Sequence, residues 1–320
     1  DVYKRQLVLF STDKEPLSPG VWVADGVVPI ASLVRTGNSP QHTMECLIDD
    51  FESLRDVLQA HVKRTPPIQH GNYRLGPPLP RPGKILCCIA NYWEHEQRDR
   101  RDLNLFLKNP DAVIGPGDTI ELPEFTQPWC FMHEAELGLV IKGPSKKVPL
   151  DRWQDAVFGY TAFMDVTARG QGRTTWPSNR LMSWLGKSFD TFAPIGPCIV
   201  TADEIASPND LHVRFWNDGQ LRHNYNTDDM EYTVPEIIAF ASQIMTLHTG
   251  NVIACGTNHE GLGFLQDGEH VKIEIEGIGA MELDVRDPLK RTWERGVYMG
   301  EDSTNHEAVR RHRPGAVLRS

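Results

Sequence analysis

The residues with the most evident chemical potential are Glu134, Glu136 and Asp165. The apolar run over residues 131–141 predicts a β-strand, whose period of two puts Met132, Glu134, Glu136, Gly138 and Val140 on one face. Two carboxylates projecting together from an apolar strand are costly to bury unless a cation neutralises them. An edge strand with a solvated polar face is the alternative reading of a bare Glu-x-Glu. Context shifts the balance toward the buried reading: Gly138 leaves room beside the carboxylates, and a second apolar run, residues 160–164, ends in Asp165, followed by Thr167 and Arg169. Three carboxylates without clustered Cys or His make an all-oxygen site, which selects a hard cation, Mg²⁺ first and Mn²⁺ as the alternative, over zinc.

Several elements must position these groups. Residues 7–33 are short apolar runs broken by Ser18-Pro19-Gly20 and Asp25-Gly26, which predicts strands with tight turns. Met44, Leu47, Ile48, Phe51, Leu54, Leu58 and His61 then recur at helical spacing behind Thr43, the expected N-cap. This gives a small αβ unit over residues 7–75. Pro66-Pro67 and the proline-rich stretch 77–83 predict an extended linker. The larger domain, residues 84–293, reads as mainly β, with strands at 85–89, 131–141, 198–201, 211–216 and 252–255. Asn217-Asp218-Gly219 predicts a hairpin turn, and Val271, Ile273 and Ile275 alternate with charged residues as in a half-buried strand. Thr233 and Glu236 form a capping box, with Pro235 in the first turn, ahead of a helical face of Ile237, Ile238, Ala241, Ile244 and Met245. Residues 294–320 read as a polar, peripheral tail. The fold class is α+β, mainly β.

At 320 residues the chain can bury a sizeable core, and 40% hydrophobic residues is ordinary for a globular protein. A net charge of −10 disfavours nucleic acid and anionic membrane surfaces as partners. No apolar run approaches the roughly 20 residues of a membrane span, and the first residues lack the pattern of a secretory leader. The six cysteines have neither framework spacing nor a C-x-x-C pair, so buried thiols in a reducing cytoplasm are expected. Residues 256–263 are glycine-rich but lack the G-x-G-x-x-G order of a nucleotide loop, and read instead as a substrate-facing turn. Within that turn His259 and Glu260 are either polar contacts or solvated. Trp176, Trp184 and Trp216 read as core or rim aromatics, and His223, Asn226 and Thr227 either reach the site or cap it.

Six segments, in order, carry a resemblance. They are Asn91-Tyr92-x-x-His95, His133-Glu134-Ala135-Glu136-Leu137, Met164-Asp165-Val166-Thr167-Ala168-Arg169, Gly186-Lys187-Ser188-Phe189-Asp190, Gly219-Gln220-Leu221-Arg222 and the turn at 256–263. From about residue 20 to about residue 291 the chain resembles the fumarylacetoacetate hydrolase superfamily, in particular its acylpyruvase-like members. The resemblance implies a C-terminal catalytic domain with a mixed β-roll, a homodimer, and one divalent cation held by Glu134, Glu136 and Asp165. It also implies that Lys187, Arg169 and Thr257 face the substrate, with Arg222 beside them.

Such a site suits a small 2-oxo acid that chelates the cation through its carboxylate and 2-oxo oxygens. Hydrolysis of a 2,4-dioxo acid needs a base for water, and His95 fits because its ordinary pKa lies near neutrality. A lone histidine there would otherwise read as structural. Many hydrolytic members carry a glutamate three residues further on; here that position is Arg98, so Glu96 or Glu94 would partner His95, or Arg98 would hold a second substrate carboxylate. Three readings follow: a carbon–carbon hydrolase of acylpyruvate-like acids; a decarboxylase of an oxaloacetate-like acid or a hydratase or isomerase of a 2-oxo-enoate; and a metal-dependent 2-oxo acid binding protein without turnover. Retention of His95 and Lys187 weighs against the third.

Overall fold

The computed structural model describes residues 6–94, 98–124, 130–169 and 185–292. In chain order the elements are β1 (Gln6–Ser11), β2 (Ser18–Val23), β3 (Gly26–Pro29), α1 (Pro40–Arg64), β4 (Ile68–Gln69), β5 (Arg74–Gly76), β6 (Ile85–Cys88) and β7 (Leu105–Lys108). They continue as β8 (Val113–Ile114), β9 (Thr119–Glu121), β10 (Cys130–Met132), β11 (Ala135–Ile141), β12 (Val157–Met164), β13 (Thr167–Arg169) and β14 (Ala193–Thr201). The last are β15 (His212–Asn217), β16 (Gln220–Asn226), α2 (Val234–Ile244), β17 (Val252–Ala254), β18 (His270–Ile275) and β19 (Gly279–Arg286). The α+β, mainly β, expectation holds.

A 12-stranded sheet runs β4-β3-β2-β1-β14-β12-β11-β17-β6-β7, with β5 on β1 and β8 on β14. A second sheet runs β16-β15-β18-β19-β9, and β10 pairs with β13. Parallel pairing of β17 with β6, β14 with β8 and β19 with β9 makes both larger sheets mixed. β1 pairs with β14 at Gln6↔Val200 and Leu7↔Ile199, so the N-terminal strands extend the sheet built by the later part of the chain.

The large sheet is covered on both faces, so its strands read as continuous apolar runs. In β1, Leu7 and Leu9 pack with Met44, Leu47, Ile48 and Phe51 of α1, whereas Val8 and Phe10 enter the core on the opposite face. Each such side chain contributes about 1.5–3 kcal/mol on burial. The α1 start differs from expectation. Ser39, not Thr43, is the cap: its hydroxyl accepts from the His42 N–H at 3.1 Å, and Pro40 opens the helix with a φ already suited to it. Thr43 lies inside the first turn and donates to the Ser39 carbonyl.

The capping box of α2 is present, with the Glu236 carboxylate accepting from the Thr233 N–H at 2.9 Å. Ile244, expected on the apolar face, is 55% exposed at the helix end, whereas Ala241 is buried and Met245 packs against the core. In the β15–β16 hairpin Asp218 and Gly219 both have positive φ, 46° and 73°, as a tight two-residue turn requires.

The strand expected over 131–141 is interrupted. Residues up to Met132 belong to β10, His133 and Glu134 form a break, and β11 begins at Ala135. β11 lies between β12 and β17 with every residue buried, which removes the solvated-edge alternative for Glu136. Gly138 makes room for Thr161 of β12 rather than for the carboxylates: a Cβ there would meet Thr161 Cγ2 at 3.0 Å. β7 leads within a few residues into β8, which pairs with β14, so the sheet curls round and its far edge returns toward β12.

Candidate metal centre

β11, β12 and β17 are antiparallel neighbours, so the start of β11, the residue after β12 and the turn after β17 fall at one end of the sheet. Glu136, Asp165 and Gly256 occupy these places, and Glu134 joins them from the break before β11. The peptide N–H of Asp165 donates to the Glu134 carbonyl at 2.8 Å, which ties the two ligand segments together. One carboxylate oxygen from each of Glu134, Glu136 and Asp165 lies within 4.8 Å of the others, and all three residues are buried.

Two lysines answer this charge. Lys187 Nζ donates to Glu134 Oε2 at 2.8 Å, Asp165 Oδ2 at 2.6 Å and Thr167 Oγ1 at 2.7 Å. Thr167 Oγ1 in turn donates to Glu134 Oε1 at 3.1 Å. Lys108, whose side chain is completely buried, donates from Nζ to Asp165 Oδ1 and to the Val166 carbonyl. Glu136 accepts from the Gly256 N–H at 2.6 Å. Burial, with Asp165 and Glu134 close by, pushes the Glu136 carboxyl well above the usual carboxylate range. Even with two ammonium groups close by, the three carboxylates repel one another at Glu136, and a cation among them would relieve this. The donor set therefore fits one additional hard cation.

The motif before His95 is a structural tie. The Asn91 amide donates to the Cys255 carbonyl at 3.0 Å and the Tyr232 carbonyl at 3.1 Å, joining the end of β17 to the turn before α2. Tyr92 packs edge-on against Tyr225, whose hydroxyl donates to the Ala135 carbonyl at 2.5 Å. His95 and Glu96 lie outside the described residues, as do Trp176, Trp184 and the tail 294–320. Arg169 sits on β13 opposite Cys130, and its side chain is also outside the description. Thr257 is buried next to Gly256. Arg222 packs against Gly263 and donates to the Gln220 side chain at 3.2 Å. Trp216 is half-buried on β15 beneath Arg214 and Lys272. His133 stacks on Phe215 and shares a hydrogen bond of 3.0 Å with His223. Burial lowers the pKa of both rings, to about 4 for His223, so this pair is neutral near pH 7.

Arg98 is engaged within the chain. It and Arg101 both pair with the Glu231 carboxylate, itself fully buried, and both donate to the Tyr92 carbonyl. Burial raises the Glu231 pKa, but the bonds from Arg98 and Arg101 outweigh it and hold the carboxyl below the usual range. A depressed folded-state pKa adds stability that is present above the unfolded value, near 4.3, and lost as pH falls through the folded one. Glu231→Gln is expected to destabilise the protein by about 1–3 kcal/mol at pH 7. Urea titrations should show this difference shrink below about pH 4.

Lys108 and Thr167 are not visible as site groups in the sequence, and Glu94, expected there as a possible partner of His95, instead pairs with His259. For Lys108 the available signal is a lysine closing the apolar run Leu105-Phe106-Leu107 just before Asn109-Pro110.

The sequence matches the family described as fumarylacetoacetate (FAA) hydrolase C-terminal over residues 84–286. It is 34% identical over 256 residues to maleylpyruvate hydrolase of Aquipseudomonas alcaligenes, covering 75% of this chain and 85% of that one. It is 34% identical over 268 residues to the mitochondrial oxaloacetate tautomerase fahd2 of Xenopus laevis, covering 78% and 81%. The crystal structure of maleylpyruvate hydrolase from Sphingobium sp. SYK-6 in complex with manganese(II) ion and pyruvate superposes with a TM-score of 0.76 at 32% identity. It covers 88% of this chain and 99% of that one.

Proposed function

Because the chain belongs to the fumarylacetoacetate hydrolase family, we propose that it is a Mg²⁺-dependent hydrolase cleaving a carbon–carbon bond in an acylpyruvate-like 2,4-dioxo acid, with Mn²⁺ as the alternative cation. The observation that carries this reading is the buried trio Glu134, Glu136 and Asp165 with the Lys187 ammonium against it. A divalent cation bound there supplies positive charge that polarises a 2-oxo group and holds the adjacent carboxylate.

The chain's own groups do the rest. Cleavage leaves negative charge on the oxygen of the retained pyruvate-like fragment, and Lys187 stabilises it from a site largely closed to water. His95 removes the proton from the water that attacks the distal carbonyl, with Glu96 steadying the imidazolium. Arg169, Thr257 and Arg222 hold the substrate. Arg98, which also pairs with Glu231, holds a second carboxylate of the substrate.

Two features support a second reading, in which an oxaloacetate-like acid is decarboxylated or tautomerised on the same groups. Arg98 stands where many hydrolytic members carry glutamate, and an oxaloacetate tautomerase is among the relatives. The proposal includes a division into an αβ part (7–75), a catalytic part (84–293) and a tail (294–320), a twofold homodimer, and a cytoplasmic setting. The last is supported by free, buried cysteines among the described residues, such as Cys87, Cys88 and Cys255. Among the described residues, no helix is long and apolar enough to cross a membrane. Purified protein with Mg²⁺ is expected to consume acylpyruvates, followed by loss of the enol absorbance and appearance of pyruvate. Turnover confined to oxaloacetate would favour the second reading.

A further inference from the structure

A second set of titratable groups stands beside the carboxylate cluster. The Glu94 side chain is 5% exposed, and its Oε1 lies 2.5 Å from His259 Nδ1 while accepting from the His259 N–H at 2.9 Å. Burial raises the Glu94 pKa, but the bonds and charge of His259, with Arg101 beyond, outweigh it and hold the carboxyl below its usual range. An ionised Glu94 therefore fixes a proton on Nδ1 and leaves Nε2 as the working nitrogen of a ring that is 27% exposed.

The loop bearing this ring is anchored at both ends. The Asn258 amide donates to Asp229 Oδ2 at 2.9 Å, and the same oxygen accepts from the Glu94 N–H at 3.0 Å. At the other end the Gly256 N–H holds Glu136. Three residues span at most about 11 Å of chain, so the His259 backbone lies no further than that from Gly256, whose N–H holds Glu136.

We propose that His259 and Glu94 form the acid–base couple that moves the proton at C3 of the 2-oxo acid, His259 as the catalytic group and Glu94 as its positioning residue. The step rests on the proposed function but is shared by its hydrolytic and tautomerising versions. In the enolising direction the C3–H bond breaks and its electron pair forms the C2–C3 double bond. The carbonyl pair moves to the C2 oxygen, and the proton goes to His259 Nε2; the reverse returns it to C3. Cleavage uses only the return step, with the imidazolium protonating C3 of the released enolate.

The test is exchange of the C3 protons of pyruvate with D₂O, followed by proton NMR on the Mg²⁺-loaded protein. His259→Ala is expected to slow exchange by about 10²–10⁴-fold, with partial rescue by added imidazole, and His259→Gln to match it without rescue of structure being at issue. Histidine-labelled metal-free protein provides a readout independent of turnover. Loss of the Glu94 acceptor in Glu94→Leu should release the Nδ1 proton, read as a mixture of the two ring tautomers in the ¹⁵N shifts of His259. Exchange at the unmutated rate in His259→Ala, while still requiring Mg²⁺, would overturn this inference and leave the metal reading standing. Unchanged exchange after Mg²⁺ removal would count against both. A His259 tautomer unaltered by Glu94→Leu would overturn the positioning role.

Discussion

Lys108→Met is expected to destabilise the metal-free protein by about 3–5 kcal/mol, the usual cost of removing one partner from a buried ion pair. Lys108 is completely buried and Asp165 nearly so, and no water can replace the lost ammonium. Methionine matches the stem in volume, so the loss reports charge rather than a cavity. Urea unfolding with an unchanged m-value measures it. Saturating Mg²⁺ should reduce the loss, because a cation on Asp165 supplies part of the missing charge. A change below about 1 kcal/mol without metal would mean that the Lys108–Asp165 contact does not hold this end of the sheet together.

The second large effect separates the two reaction types. Under hydrolysis, His95→Ala should lower acylpyruvate cleavage by about 10²–10⁴-fold, with Glu96→Gln slowing the same step. Decarboxylation needs no attacking water, so His95→Ala should keep most of its turnover of an oxaloacetate-like substrate. Lys187→Ala should lower both activities by about 10²–10³-fold, since both place charge on the oxygen that Lys187 faces. Circular dichroism checks that each variant is folded. If both substitutions left every activity unchanged, the catalytic assignments would fall and the binding-protein reading would replace them.

What was legible in the sequence follows from how local each signal is. Glu134, Glu136 and Asp165 could be grouped because residue type is decisive: carboxylates inside apolar runs demand compensation wherever those runs pair. The strands at β15, β17 and β18 and the capping box of α2 rest on alternation and spacing over a few residues, and they stand as expected. The break at His133 and Glu134 was hidden, since an apolar run does not say where its partner strand changes from β13 to β12. Lys108 was hidden because its reach to Asp165 depends on the sheet curling through β8. The pairing of Arg98 with Glu231 was hidden because the two lie 133 residues apart in sequence. Glu94 and His259, 165 residues apart, meet only when the turn after β17 closes over residue 91.

The central claim is that the trio holds one divalent cation on which a 2-oxo acid is bound. It is tested most directly by titrating EDTA-treated protein with Mn²⁺, following the free-ion paramagnetic resonance signal, with and without pyruvate. One Mn²⁺ per chain is expected, bound more tightly when pyruvate is present and displaced by Mg²⁺. Glu136→Gln should weaken it by more than about 10²-fold, since groups merely orienting a ligand already contribute about 10–100-fold. Equal Mn²⁺ binding by the unmutated and Glu136→Gln proteins, or full turnover by metal-free protein, would contradict it.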